Sequence, residues 1–265
     1  MLILLPLSRS DAHLAKPLAD HMHTLGGVKR HDLVLFYTGE EALKAADYVE
    51  DTLRNDFHSV TKVASEVLDE SGWPRSANHT FRNAIKWAEQ TVGYQGILYF
   101  FEADNVPLRS SWADDLQDEF LRSQKPCLGV VHETVWTSAD GTRRVDGTHL
   151  VGTSLYAIPM SPYSKLWRHI GAQSRTPFDV FLKNELVPNS ASTNLIQHNW
   201  NTVNYRRDGD RIVCDSAVEH KSTHGTTPTR PDSLVAAVRS DAVVLHGCKD
   251  GSLISLFNKN PSRKK

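Results

Sequence analysis

The chain has 265 residues, 40% of them hydrophobic, with 30 basic side chains against 31 acidic ones and a formal net charge of -1. That length and apolar content suffice for one large α/β domain or two small ones, and the balanced charge excludes a global positive field for nucleic acid or anionic membranes, leaving only local basic patches. Cys127, Cys214 and Cys248 are odd in number and lack CxxC spacing, which argues against a disulfide framework and a structural zinc site.

The opening MLILLPLSRS lacks the basic segment and long apolar run of a secretion signal, and no later stretch is apolar enough to span a membrane, so the expected location is cytoplasmic. Residues 2–7 form a continuous apolar run followed by polar SRSDAH, the pattern of a buried first strand feeding a loop and then a helix. Residues 13–25 carry apolar side chains at helical spacing and stop at Gly26-Gly27. Residues 32–37 repeat the strand pattern, which completes a β-α-β start. A second helix is expected over 40–57, a weak strand over 60–64, a third helix over 78–91, and a strand over GILYFF, residues 96–101. Strands alternating with helices imply a parallel sheet covered on both faces.

After Pro107 the texture changes. Residues 112–123 read as a helix and 126–131 as extended chain, and the run from Trp136 to Arg144 reads as a hairpin turning at Asp140-Gly141. Residues 149–159 read as a further strand with Gly152 inside it, and 242–245 as the last strand, giving way to HGCKDGS and a basic tail. There is no internal repeat and no low-complexity segment.

In open α/β sheets ligands lie beyond the carboxyl ends of the strands, so the segments after residues 7, 101 and 245 are expected around one crevice. They hold SRSD, EAD and HGCKD. Glu102 and Asp104 are two residues apart; in extended chain both face the same side, and paired anions invite a divalent cation. Oxygen ligands favour Mg2+ or Mn2+, and a nitrogen from His246 tilts the choice toward manganese. Lys249 and the backbone beside it are placed to meet phosphate oxygens. On this reading the removal of either clustered acid relieves repulsion in the metal-free protein.

These residues carry a family resemblance. YFFEADNVPL resembles the apolar-strand DxD motif of GT-A fold glycosyltransferases, with Glu102 in place of the first aspartate and Asp104 in place of the second. HGCKDG is similar to their late histidine-glycine-lysine element. The resemblance covers most of the chain in order and is specific at these two motifs. It implies a mixed, mostly parallel Rossmann-like α/β sheet flanked by helices with an extended acceptor-side region. It also implies one domain over 1–265, with a nucleotide-sugar half over 1–108, an acceptor half over 109–241, and a metal and diphosphate loop with the basic tail over 242–265.

The resemblance implies metal ligation by Asp104, His246 and Glu102 and diphosphate contact by Lys249, with Glu102 open to direct, water-mediated or ribose contact. It places Pro6, Ser8, Arg9 and Asp11 at the base and ribose, and Asn78, backed by Arg75 and Arg82, at the sugar nucleotide. Asp179 takes the acceptor-side acidic position, as general base in an inverting enzyme or as a sugar-positioning group in a retaining one. The same residues have structural readings: Ser10, Asp11 and Asn78 suit helix caps, and Asp179 suits the first turn of a helix.

The function so implied is metal-dependent transfer of a sugar from a nucleoside diphosphate donor, UDP-sugar first, to an acceptor hydroxyl. The chain also resembles small glycosyltransferase-like proteins of tailed bacteriophages, which points to a hydroxymethylated pyrimidine in duplex DNA as acceptor, with Arg143, Arg144, Arg206, Arg207, Arg211 and the tail as a phosphate-binding face. A glycan acceptor and a non-catalytic sugar-nucleotide-binding protein are the alternatives. A nucleotidyltransferase is expected to carry a glycine-rich basic loop after the first strand, and SRSDAH has no glycine.

Overall fold

The computed structural model describes residues 1–65, 72–137, 142–160, 176–209, 211–216 and 238–258. Strand β1 (Leu2–Leu7) sends alternate side chains to two buried faces, Ile3, Leu5 and Leu7 to one core cluster and Leu2 and Leu4 to the other. Burial on both faces is why its sequence is uninterrupted apolar rather than alternating. Helix α1 (Ala12–Leu25) covers the first face through Leu14, Leu18 and Met22, one turn apart. It ends at Gly26, whose φ of 66° suits a residue without Cβ and whose N–H donates to the Met22 carbonyl.

Strand β2 (Asp32–Tyr37), helix α2 (Gly39–Leu53) and strand β3 (Ser59–Ala64) repeat the unit. Helix α3 (Arg75–Lys86) starts three residues earlier than its apolar pattern predicts and runs through a π-helical turn, Trp87–Thr91, toward β4 (Gly96–Phe100). Strands β1 to β4 are mutually parallel. The sheet is completed by β6 (Cys127–Gly129), β9 (Leu155–Ile158) and β10 (Ser190–Ser192), in the order β10-β6-β9-β4-β1-β2-β3. Strand β9 runs antiparallel to both neighbours, so the sheet is mixed and mostly parallel, with helices on its faces, as the sequence implies.

Strand β7 (Val131–Thr137) pairs antiparallel with β8 (Arg143–Leu150), and the turn expected at Asp140-Gly141 lies outside the described residues. The single strand expected over 149–159 is two strands, β8 and β9, broken at 151–154. There the Thr153 hydroxyl donates to the Phe100 carbonyl at 3.0 Å and Ser154 to the Val151 carbonyl at 2.5 Å, side-chain bonds that replace ladder bonds. Gly152 fits against the Phe178 ring, where a Cβ would lie 2.8 Å from the nearest ring carbon.

A second sheet has the order β12-β11-β13-β5, from β5 (Asn105–Pro107), β11 (Ile196–Asp208), β12 (Arg211–Ser216) and β13 (Val244–Cys248). Strand β13 starts later and runs further than predicted, through HGC, because it pairs with β11 on one side and β5 on the other. The chain therefore passes from the large sheet to the small one between Phe100 and Asn105, the segment that carries Glu102 and Asp104.

Candidate functional site

Residues 101–104 do not continue the strand; they form a turn between β4 and β5. The Phe101 N–H donates to the Leu4 carbonyl at 2.8 Å, the Asn105 N–H to the Glu102 carbonyl at 3.0 Å, and the Cys248 N–H to the Asp104 carbonyl at 3.0 Å. The fully buried Asn105 side chain adds bonds to the Glu102 carbonyl and the Thr153 hydroxyl, both at 2.9 Å. The two carboxylates thus converge through a pinned turn rather than through the two-residue period of extended chain.

His246 lies within β13, opposite Asn105 on one side and His198 on the other. Its Nε2 is 3.0 Å from Glu102 Oε2 and 3.4 Å from Asp104 Oδ1. Lys249 Nζ lies against Asp104 Oδ2. Asp104 and His246 are buried, 4% and 6% exposed, whereas Glu102 stays half-buried at the rim. Burial pushes the Asp104 carboxyl up, but His246 and Lys249 together outweigh it and leave Asp104 below the ordinary carboxylate range. Burial likewise lowers His246 and Lys249, and the carboxylates beside them more than reverse it, so both bases sit above their ordinary values. Burial raises Asp11, with Glu102 and Asp104 adding to the rise against a bond from Ser8.

One ligand atom each from Glu102, Asp104 and His246 can be chosen so that all lie within 4.8 Å of one another. Donors around a six-coordinate Mg2+ stand about 3 Å apart along each octahedral edge, close to the 3.0 and 3.4 Å seen from His246 Nε2. Two carboxylates and one imidazole suit Mn2+ or Mg2+. The residues present therefore fit a divalent cation.

Glu102, Asp104 and Lys249 line a cavity of about 760 Å³ together with residues 6–11, Thr38, Gly72, Trp73, Ser76, Ala77, Thr80, Phe100 and Ala103. Pro6, Ser8, Arg9 and Asp11 all line it. Ser8 Oγ donates to Asp11 Oδ2 at 2.7 Å, which holds the loop after β1, and Asp11 makes no side-chain cap bond to α1. Arg9 is exposed and paired with Glu41 at 3.0 Å. Asn78 and Arg82 do not line this cavity. Asn78 is fully buried within α3, where its Nδ2 donates to the Thr176 carbonyl at 2.9 Å; Arg82 is half-buried on the same helix, close enough to His79 to depress it after burial has done so. From this segment Gly72, Trp73, Ser76, Ala77 and Thr80 line the cavity instead, and Trp73 is 73% exposed.

Asp179 stands in the first turn of a short helix, Phe178–Phe181. Its Oδ2 is 3.8 Å from His149 Nε2. Burial raises Asp179 to about 6, despite a bond from the Val180 N–H, and Glu102 adds to the rise. Burial lowers His149 to about 4, with help from His132 and Lys183. Between Asp179 and His246 stand three imidazoles, His149, His132 and His198, from β8, β7 and β11; ring centres are 5.7 Å apart for the first pair and 5.5 Å for the second, and 4.7 Å from His198 to His246. Burial, then His246 and His132, pull His198 well down.

Sequence reasoning missed Trp73 and His198. Trp73 lies just before Asn78, in GWPRSANHT, where an exposed aromatic beside a turn is the only signal. His198 belongs to TNLIQHNWNTVNYR, where Ile196, His198 and Trp200 alternate with Gln197, Asn199 and Asn201 as in a strand, and that pattern would have put His198 on a strand of its own.

The α/β architecture is that of the GT-A glycosyltransferases. No protein-family model matches the sequence, and no curated protein does. Among solved structures the chain is similar over nearly its whole length to the galactosyltransferase LgtC: 98% of it matches 96% of an active-site mutant of that protein at 13% identity and a TM-score of 0.52. It matches LgtC in complex with donor and acceptor sugar analogues at 15% identity and a TM-score of 0.51, over 98% of this chain and 94% of that one. The bifunctional glycosyltransferase WbbM matches 76% of the chain at 10% identity and a TM-score of 0.50, and there the chain spans only 40% of the other's length. These likenesses show the fold.

Proposed function

We propose that the protein is a glycosyltransferase that binds a nucleoside diphosphate sugar in the cavity and a divalent cation, Mn2+ or Mg2+, at Glu102, Asp104 and His246, and passes the sugar to an acceptor hydroxyl. The observation that carries this reading is the meeting of two carboxylates, an imidazole and a lysine, with the carboxylates and the lysine lining a cavity formed where the parallel strands end. A bound divalent cation supplies neutralisation of the charge that develops on the diphosphate. Lys249 adds a fixed positive charge to the same leaving group, its ammonium held in place by buried Asp104. The loop 8–11 supplies hydroxyl and carboxylate groups for ribose and base. Trp73 offers a broad exposed aromatic face for a base to cover. Asp179, poised at about 6, acts as general base toward the acceptor hydroxyl at neutral pH.

For the acceptor, a carbohydrate hydroxyl is favoured over a base in duplex DNA. Arg206 of the basic hairpin is already paired with Asp215 at 2.8 Å, and LgtC, similar over the whole chain, holds an acceptor sugar analogue. The test incubates the protein and Mn2+ with a panel of nucleoside diphosphate sugars, offering free sugars and glycans in one arm and hydroxymethylcytosine or hydroxymethyluracil DNA in the other, and reads products by mass. Hexose or pentose transfer to sugar supports the reading; transfer to DNA alone replaces the acceptor; no turnover and no cation-dependent donor binding removes the function.

A further inference from the structure

His198 and His246 face each other across the parallel pair β11 and β13, as direct register partners. Their Nδ1 atoms are 2.8 Å apart. Two ring nitrogens at that distance share one proton: one donates and the other accepts. The opposite nitrogen of His246, Nε2, points at Glu102 and Asp104. For Nε2 to present a lone pair to a cation, the ring proton of His246 must reside on Nδ1, and a proton there needs an acceptor in a buried place. His198 Nδ1 is that acceptor, which fixes its own proton on Nε2.

We propose that His198 is a positioning residue that accepts the Nδ1–H of His246, and so holds that ring in its Nδ1–H tautomer when a cation takes the place of the proton between Nε2 and the two carboxylates. A carboxylate is the commoner partner for a ligating histidine, but a third acid here would sit beside two others. An imidazole accepts the same proton without adding charge. The ring of His198 is itself held: His132 meets it edge-on at 73°, and His149 meets His132 edge-on at 81°. Three strands thus fix the orientation of one acceptor lone pair. The proposal rests on the metal reading for Glu102, Asp104 and His246, because without a cation Nε2 itself donates to the Glu102 carboxylate at 3.0 Å.

Two measurements on the full chain test this. The first is long-range 1H–15N NMR of the histidine rings, metal-free and again with Mg2+. Metal-free, Nε2 of His246 is expected to carry a proton toward Glu102; with Mg2+, a protonated Nδ1 and an unprotonated Nε2 are expected, and an unprotonated Nδ1 in the Mg2+ form overturns the proposal. The second is Mn2+ affinity by electron paramagnetic resonance without donor, on folded variants checked by circular dichroism. His198→Phe fills the space without an acceptor and is expected to weaken Mn2+ by about 10- to 100-fold; His198→Gln, which restores an acceptor oxygen, is expected to recover most of that loss. Unchanged affinity in His198→Phe, or equal loss in both variants, overturns it. If wild type and His246→Ala both fail to bind Mn2+, the metal reading fails and the role of His198 falls with it.

Discussion

Replacing Asp104 by Asn is expected to destabilise the metal-free protein, the opposite of the relief of repulsion that two clustered acids suggest in the sequence. Asp104 is 4% exposed and stands between His246 and Lys249, so its loss takes the buried partner from Lys249 and leaves His246 with Glu102 alone, instead of separating two anions. Removing one partner of a buried ion pair costs roughly 3–5 kcal/mol. The Lys249 side chain is 42% exposed and regains water, which puts the expected loss near the low end, about 3 kcal/mol. For a domain of this size that is roughly 6–12 °C in Tm. The assay is thermal unfolding by calorimetry in a chelator, at pH 6.5, where His246, raised above that ordinary imidazole value, is charged. The pH course has a definite sign. Asp104 is depressed below 3.8, so its contribution is complete above that value and disappears as pH falls through the lower folded value. His246 is raised, so its contribution is complete below 6.5 and disappears as pH rises through the higher folded value. The gap between wild type and variant should therefore narrow in acid. A variant that melts at or above wild type at pH 6.5 would refute the assignment of Asp104 as an ion-paired core residue.

Lys249→Ala should weaken UDP far more than uridine by calorimetry, since Lys249 faces the charged end of the cavity; equal losses would assign it elsewhere. In Asp179→Asn, kcat should fall by about 10²–10⁴ with donor affinity kept, and the limb of the pH–rate profile that rises through about 6 in wild type should disappear. NMR of the product anomer then checks the base, because retention of configuration removes that role. Trp73→Ala should cost about 1–3 kcal/mol of nucleoside affinity, and ligand binding should quench tryptophan fluorescence in wild type but much less in the variant; unchanged affinity for uridine would move the base to another wall.

The first third of the fold was legible because β1, β2 and β4 are buried on both faces and spell uninterrupted apolar runs, with Gly26 marking where α1 stops. The acid pair was legible for the same reason, as polar residues directly after such a run. Convergence of the carboxylates was read correctly for the wrong cause: extended chain was assumed, whereas backbone bonds and Asn105 bend residues 101–104 into a turn. Long-range pairing is what the sequence hides. Nothing local to residues 242–248 says that β13 is the middle of a second sheet, so HGC read as a loop. Nor does the helix pattern around Asn78 reveal that its side chain turns inward to the Thr176 carbonyl, since helical spacing distinguishes faces only once their neighbours are known.

Strand β13 occupies a central place in the small sheet, with β11 on one flank and β5 on the other, although it comes late in the chain. A polypeptide cut before residue 242 would lose His246 and Lys249 together with the strand that joins those flanks. What remained would carry two bared strand edges, open to pairing with other chains. Assembly of the acid–imidazole–lysine cluster and closure of the small sheet would thus fail in the same step.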